Sequence, residues 1–250
     1  MEAFLSALEA FTWSKNEYQK YLNFLYSIKN ETYKKFHSKI VPDISLFIGL
    51  QIPIMDKISK SISKTNFEKY YSAFLNYNTS TYEEKTITGF VIANLTPKKD
   101  NVSLNFIQEK IDYQISLIDN WALCDYFCAR LKIIQKHSLF FENYVFSLCF
   151  DENCWKNRVG FVLLLDYYIN KEYLNKIFKT LEEALNDDYY VMMAQSWLIS
   201  VLFVKFPNET IMFLNKKSLL EKTHNTALQK IRDSKRVSNE HKLLTKTMVR

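Results

Sequence analysis

The chain of 250 residues carries a formal net charge of +6 and is 48% hydrophobic, which is ample for a sizeable core. It contains only three glycines and four prolines. Sheets joined by tight hairpins need many glycine-containing turns, and nucleotide-binding folds need clustered glycines against phosphate. The sequence therefore excludes a P-loop and a Rossmann fingerprint, and it favours long helices with short polar connections.

Apolar residues recur at helical spacing along most of the chain. In chain order the periodicity predicts helices over residues 16–28, 31–41, 53–62, 67–75, 82–95, 102–118, 119–134, 139–150, 151–169, 172–185 and 188–206, and a final set of helices over residues 209–237. Three prolines are expected to close helices, namely Pro42, Pro97 and Pro207, whereas Pro53 suits a first turn. The residues expected to cap helix N-termini are Asp151, Asp187 or Asp188, and Asn208.

The predicted helices follow one another closely and pair with a period of about 30–40 residues, near that of HEAT-like repeats. No residue-by-residue repeat is visible, and no linker rich in Pro, Gly or Ser interrupts the pattern. We expect an all-α, HEAT-like helical-repeat solenoid that forms a single domain over residues 1–250. Stacked helix pairs present a concave face, which suits an extended partner such as a peptide or a nucleic acid.

The longest apolar run, residues 159–165, is too short to cross a bilayer, and the N-terminus lacks the order of a signal peptide. We expect a soluble, cytoplasmic protein with no membrane partner. The four cysteines are spaced as C-x3-C and C-x4-C: Cys124, Cys128, Cys149 and Cys154. A zinc site is one interpretation, but these cysteines lie within helical patterns, so buried reduced thiols and no metal are favoured.

The basic residues are concentrated at the C-terminal end of the chain. Residues 216–250 contain ten lysines and arginines against three acidic residues, so the rest of the chain is about neutral. Such a basic C-terminal segment favours a polyanionic partner, and a solvated tail is the alternative.

Trp121 and Asp125 stand four residues apart, so both side chains project from one helix face. Asp125 lies in an otherwise apolar segment, where a carboxylate is expected to have either a positively charged partner or a function. One interpretation is a structural carboxylate paired with Arg130 or Arg158. The other is a functional carboxylate beside an aromatic ring. Trp155 and Arg158 likewise share a face, three residues apart.

Four segments, in this order and at similar separations, resemble the HEAT-like-repeat DNA alkylation repair glycosylases: residues 121–128, 151–158, 189–197 and 227–237. Residues 36–42 and 47–53 resemble the N-terminal helices of that family, so the resemblance covers most of the chain. It implies a monofunctional glycosylase that excises cationic N3- and N7-alkylpurines from double-stranded DNA. It also implies no metal or organic cofactor and no insertion of the base into a tight pocket.

Carried over by motif, the resemblance makes Asp125 the catalytic carboxylate and Trp121 and Trp197 the aromatic walls beside the deoxyribose of the lesion. Arg158 is then a cation that binds the DNA backbone. Further DNA-binding residues are expected beside it and in the basic C-terminal segment, namely Trp155, Lys156, Arg232, Lys235 and Arg236. We expect a monomer.

Two departures from the family pattern reduce the positive charge. Leu198-Ile199-Ser200 follows Trp197 where many members carry a Leu-Arg-Glu type sequence, and Asn157 replaces one of two arginines. A non-catalytic binder of damaged or branched DNA is therefore the alternative to a glycosylase. A protein-binding solenoid is a third hypothesis.

Overall fold

Helices account for all regular secondary structure in the part of the chain that the computed structural model describes, residues 1–41, 44 and 46–250. The first nine are α1 (Glu2–Leu8), α2 (Lys15–Ser27), α3 (Glu31–Ile40), α4 (Ile52–Ile62), α5 (Phe67–Tyr77), α6 (Tyr82–Ala93), α7 (Pro97–Asp100), α8 (Leu104–Ser116) and α9 (Trp121–Cys128). The next eight are α10 (Lys132–Lys136), α11 (Ser138–Leu148), α12 (Cys154–Tyr167), α13 (Leu174–Glu183), α14 (Tyr189–Lys205), α15 (Pro207–Asn215), α16 (Glu221–Asp233) and α17 (Asn239–Thr247).

The helices pack in a repeat-like arrangement within two units, Met1–Ile133 and Ile134–Arg250. The all-helical fold class is confirmed. In the first unit α6 packs against α4, α8 and α9, and in the second unit α14 packs against α12, α15 and α16. That the chain forms one continuous domain stays a prediction. None of the described helices is both long and apolar enough to cross a bilayer.

Several boundaries differ from those that the periodicity predicts. The region 119–134, predicted as one helix, divides into α9 and most of α10, whereas the set of helices predicted over 209–237 corresponds to α15 and α16. The helices α1, α7 and α17 lie outside the predicted set. Pro97 and Pro207 each open a helix at its first turn, because a proline there forfeits no intrahelical hydrogen bond. Pro42, predicted to close a helix, lies outside the described residues.

The N-terminal caps show which local signals are reliable. Asp188, one of the two aspartates predicted there, caps α14, and its carboxylate accepts the backbone N–H groups of Tyr190 and Val191 at 2.8 and 3.2 Å. Asn153 caps α12 in place of Asp151, and Asn208 lies inside α15. Neighbouring polar residues compete for a cap, and the tertiary path of the entering chain decides among them.

The core of the first unit is organised around α6, which is buried on nearly all sides. Glu83 of this helix is fully buried, and its carboxylate accepts the backbone N–H groups of Ile48, Gly49 and Leu50 at 2.9, 2.7 and 3.0 Å. Gly49 has a φ of 109°, a conformation that side chains rarely adopt. A Cβ there would also approach Lys34 Cβ to 2.9 Å. Glu83 thus fixes the segment that leads into α4.

Candidate functional site

The helix α9 carries the tryptophan and the carboxylate that the sequence singles out. It begins after Asn120, whose side chain accepts the backbone N–H of Leu123 at 2.9 Å. On its inner face α9 packs closely on α6, because Phe127 lies where Gly89 leaves space for its ring. A Cβ at Gly89 would stand 3.2 Å from that ring.

Trp121 and Asp125 lie on the partly exposed side of α9. Both are half-buried, whereas Leu123, Cys124 and Phe127 between and after them are buried. The i, i+4 spacing therefore places the indole and the carboxylate on one face at the surface of the first unit. An aromatic face and a partly desolvated carboxylate side by side can stabilise a cation.

Arg130, one of the two partners considered for Asp125, is engaged elsewhere. Its guanidinium forms an ion pair with Asp56 of α4 at 2.5 Å and lies 3.7 Å from the centre of the Phe90 ring. Asp56 also pairs with Lys60 at 2.8 Å. Arg130 thus ties the end of α9 to α4 through Asp56, and the pairing of Asp125 stays a prediction.

In the second unit Arg158 and Trp155 meet the first turn of α14. Arg158 is only 5% exposed, and its Nη1 donates a hydrogen bond to the carbonyl oxygen of Tyr190 at 2.7 Å. The ring centres of Trp155 and Tyr190 are 4.7 Å apart at an angle of 35°. Since the Asp188 cap fixes the backbone of Tyr190, the guanidinium is anchored on a rigid helix terminus.

The neighbours of Arg158 contribute less free charge than the sequence suggests. Lys156 is half-buried, and its ammonium lies 3.4 Å from the carboxylate of Asp151. Asn157 is buried and donates a hydrogen bond to the Asp151 carbonyl at 3.1 Å. Asn157 therefore stabilises the start of α12. Many family members carry an arginine at this position.

Trp197 lies two turns further along α14 and is 37% exposed, a large fraction for a tryptophan. Its successors Leu198 and Ile199 are fully buried, and Ser200 is buried as well. The position where many family members carry an arginine therefore holds the apolar Ile199, which packs inside the second unit. The indole itself remains accessible to a ligand.

The basic residues predicted at the end of α16 have different environments. Lys235 and Arg236 are exposed in the connection between α16 and α17. Arg232 is half-buried and donates to Gln229 Oε1 at 2.8 Å and to the Thr245 carbonyl at 3.4 Å. Lys235 and Arg236 are therefore accessible cations, while Arg232 also links α16 to α17.

Sequence reasoning missed Tyr190. Its ring lies against Trp155, and its carbonyl oxygen accepts a hydrogen bond from Arg158. Tyr190 stands inside segment 189–197, which carries the family resemblance and was the available signal. The nine predicted residues divide between the units, with Trp121 and Asp125 in the first and the other seven in the second.

All four cysteines are free thiols, and three are buried, as the interpretation of buried thiols expects. Among the described residues no group of three or more His, Cys, Asp or Glu side chains could hold a metal ion. Cys149 lies directly against Gly160 of α12.

The fold and the site residues together define an all-helical protein of packed repeats that carries exposed aromatic residues, a half-buried carboxylate and clustered cations. Residues 22–236 match the family described as DNA alkylation repair enzyme. The chain belongs to this family, and the predicted resemblance is confirmed. The protein is accordingly an enzyme of DNA repair that binds DNA. Comparison with curated proteins gave no match.

Proposed function

We propose that the protein is a monofunctional DNA glycosylase that hydrolyses the N-glycosidic bond of N3- or N7-alkylated purines in double-stranded DNA. The observation that supports this most is the half-buried carboxylate of Asp125 beside Trp121 on α9, in a chain of the DNA alkylation repair enzyme family. Family membership makes a purely protein-binding solenoid a poor explanation of these residues.

The reaction begins from a purine that alkylation has made cationic. When the bond between C1′ and the purine nitrogen breaks, the electron pair stays with the base, which leaves as a neutral molecule. Because this leaving group needs no protonation, one carboxylate can replace the acid and base pair of ordinary glycosidases. A water molecule then adds to C1′ and loses one proton to Asp125 or to solvent. No step requires a metal or an organic cofactor.

Asp125 stabilises the positive charge that develops on the deoxyribose and orients the attacking water. At about 4 Å and an effective dielectric constant near 20, which suits a half-buried group, the attraction between unit charges is about 4 kcal/mol. Mutagenesis of comparable electrostatic groups costs about 10²- to 10³-fold in rate. A carboxylate of this kind is sufficient for a cationic leaving group and insufficient for an unmodified purine.

The remaining predicted residues bind and position the DNA. Trp121 and the exposed Trp197 contact the deoxyribose of the lesion, each with cation–π attraction of about 1–2 kcal/mol. Arg158, beside Trp155 and Lys156, binds the DNA backbone. Phosphate contacts come from the basic C-terminal segment, through Arg232, Lys235 and Arg236, and make the affinity sensitive to salt.

A non-catalytic binder of damaged or branched DNA is the second candidate, and two observations favour it. Asn157 and Ile199, which stand where many family members carry arginine, are both buried. The second unit is therefore less positive than the family pattern implies. Asp125 is present, however, and a binder would not require it.

Base release distinguishes the two candidates. We expect wild-type protein to release 3-methyladenine or 7-methylguanine from methylated duplex DNA, and Asp125→Asn to slow release by about 10²- to 10³-fold with little change in DNA affinity. Released bases can be separated chromatographically in single-turnover reactions with excess protein.

The matched control is Asp100→Asn, the same chemical change at another half-buried aspartate of the first unit, which accepts the backbone N–H of Thr96 at 2.8 Å. This variant should retain the wild-type rate. Equal release by wild type and Asp125→Asn, or no release above background by either, would refute the glycosylase and leave the binder.

A further inference from the structure

One partly exposed face of α14 is apolar from the first turn of the helix to the fourth. Tyr190, Met193, Trp197 and Val201 follow one another at spacings of three, four and four residues, so they line one side of the helix. Trp197 is 37% exposed and the other three are half-buried, whereas most other residues of α14 are buried. These four residues form the α14 ridge.

The α14 ridge carries no charge. The helix contains no acidic side chain, and its one basic residue, Lys205, lies in the last turn, where its ammonium donates a hydrogen bond to the Ile169 carbonyl at 2.6 Å. At the other end the Arg158 guanidinium donates to the Tyr190 carbonyl at 2.7 Å, and the Trp155 ring lies 4.7 Å from that of Tyr190. The ridge is thus an uncharged strip that begins beside a guanidinium and an indole.

The length of the ridge suits a DNA strand. Tyr190 and Trp197 are seven residues apart, which is about 10 Å along the helix axis and about the rise of three base pairs. Met193 lies about 6 Å before Trp197 along the axis, or about two base pairs. Phosphates bind cations, whereas apolar side chains in protein–DNA interfaces contact sugars and bases. An unbranched thioether side chain adapts well to such a surface.

We propose that Met193 is a DNA-contacting residue that packs against deoxyribose of one strand, about two nucleotides from the sugar that Trp197 contacts. Tyr190 extends this contact towards Arg158. The place of Trp197 beside the lesion rests on the proposed function, whereas contact between the ridge and DNA requires only that the protein binds DNA. Met193 is a positioning residue that holds the duplex along α14 and takes no part in bond cleavage.

The first test measures binding of an unmodified duplex by fluorescence anisotropy, so that it does not depend on base excision. We expect Met193→Ala to weaken binding by about 3- to 10-fold, since apolar area buried against DNA is lost. The slope of log affinity against log salt should stay unchanged, because an apolar contact releases no counterion. Met193→Leu should keep most of the affinity.

Met212→Ala is the matched control because it is the same chemical change in the second unit, at a residue of α15 that is 70% exposed. Its affinity should equal that of wild type. Met193→Ala protein that binds as tightly as wild type, or that loses no more affinity than Met212→Ala, would overturn the proposal.

A second measurement needs no variant. In wild-type protein with ¹³C-labelled methionine methyl groups, addition of the duplex should shift the Met193 resonance and leave that of Met212 in place. Met192 is a close comparison, because it is also half-buried but lines a pocket with Leu220 and Thr223, so it should shift less than Met193.

A Met193 resonance that stays in place when the protein is saturated with duplex would overturn the contact. If the binding and NMR results hold while Asp125→Asn leaves base release unchanged, the glycosylase proposal fails and the DNA contact of the α14 ridge stands.

Discussion

Gly160 in α12 lies where the helix crosses the end of α11, and its replacement by alanine gives a quantitative test of how the second unit is packed. A Cβ at this position would stand 2.7 Å from the backbone nitrogen of Cys149, 2.9 Å from Cys149 Sγ and 2.9 Å from the carbonyl carbon of Leu148. Two of these three atoms belong to the main chain, so no rotamer change relieves the contact. The helices α11 and α12 must separate.

Gly89 provides the matched comparison, because it also lies inside a buried helix, α6. There the added Cβ would meet side-chain atoms, Gln114 Nε2 at 3.0 Å and Phe127 at 3.2 Å, which can give way by a few tenths of an ångström. Both substitutions gain about 1 kcal/mol of helix propensity. Overpacking costs about 1–3 kcal/mol, with the upper end expected where backbone must move.

We therefore expect Gly160→Ala to lower the free energy of unfolding by about 1–2 kcal/mol, which in a chain of this size lowers the melting temperature by about 2–8 °C. Gly89→Ala should remain within about 1 kcal/mol of wild type, since its two contributions nearly cancel. Urea and thermal unfolding followed by far-ultraviolet circular dichroism measure both changes. A Gly160→Ala variant as stable as wild type, or more stable, would show that the approach of α12 to α11 is not tight.

Two further predictions concern charge. Lys235→Ala with Arg236→Ala should weaken binding to any duplex sequence and reduce its salt dependence; unchanged affinity would place these exposed cations outside the interface. Hydrogen bonds from Thr12, and then from Ser14, lower the pKa of Glu17 to about 2. The stabilisation by Glu17 is therefore complete above its ordinary pKa of 4.5 and is lost as pH falls towards 2. Glu17→Gln should lower the urea midpoint at neutral pH and match wild type near pH 2, whereas an equal deficit at both values would contradict this.

Local sequence signals were sufficient to predict the helical fold class and the helix face that Trp121 and Asp125 share. Scarce glycine and a 3.6-residue apolar period predict helices whatever their neighbours are. Four residues advance a helix by little more than one turn, so Trp121 and Asp125 share a face in any α-helix that contains both. Asp188 was predictable as a cap for a similar reason, because it bonds to backbone only two and three residues away.

The partners of the charged residues could not be predicted in this way. The sequence offered Arg130 as a partner for Asp125 because the two are near in the chain, whereas Arg130 pairs with Asp56, 74 residues away, and covers the Phe90 ring. Lys230 looked like one of ten basic residues near the C-terminus. Packing of α16 against α14 decides that it is half-buried.

The sequence by itself determined that the chain is helical, where most helices lie and which residues share a helix face, because these properties depend on contacts within a few residues. Only the tertiary structure decided which cations are already paired, as Lys156 is with Asp151, and which stay exposed, as Lys235 and Arg236 do. Burial and long-range ion pairs join residues far apart in the chain, and no local pattern encodes their distances.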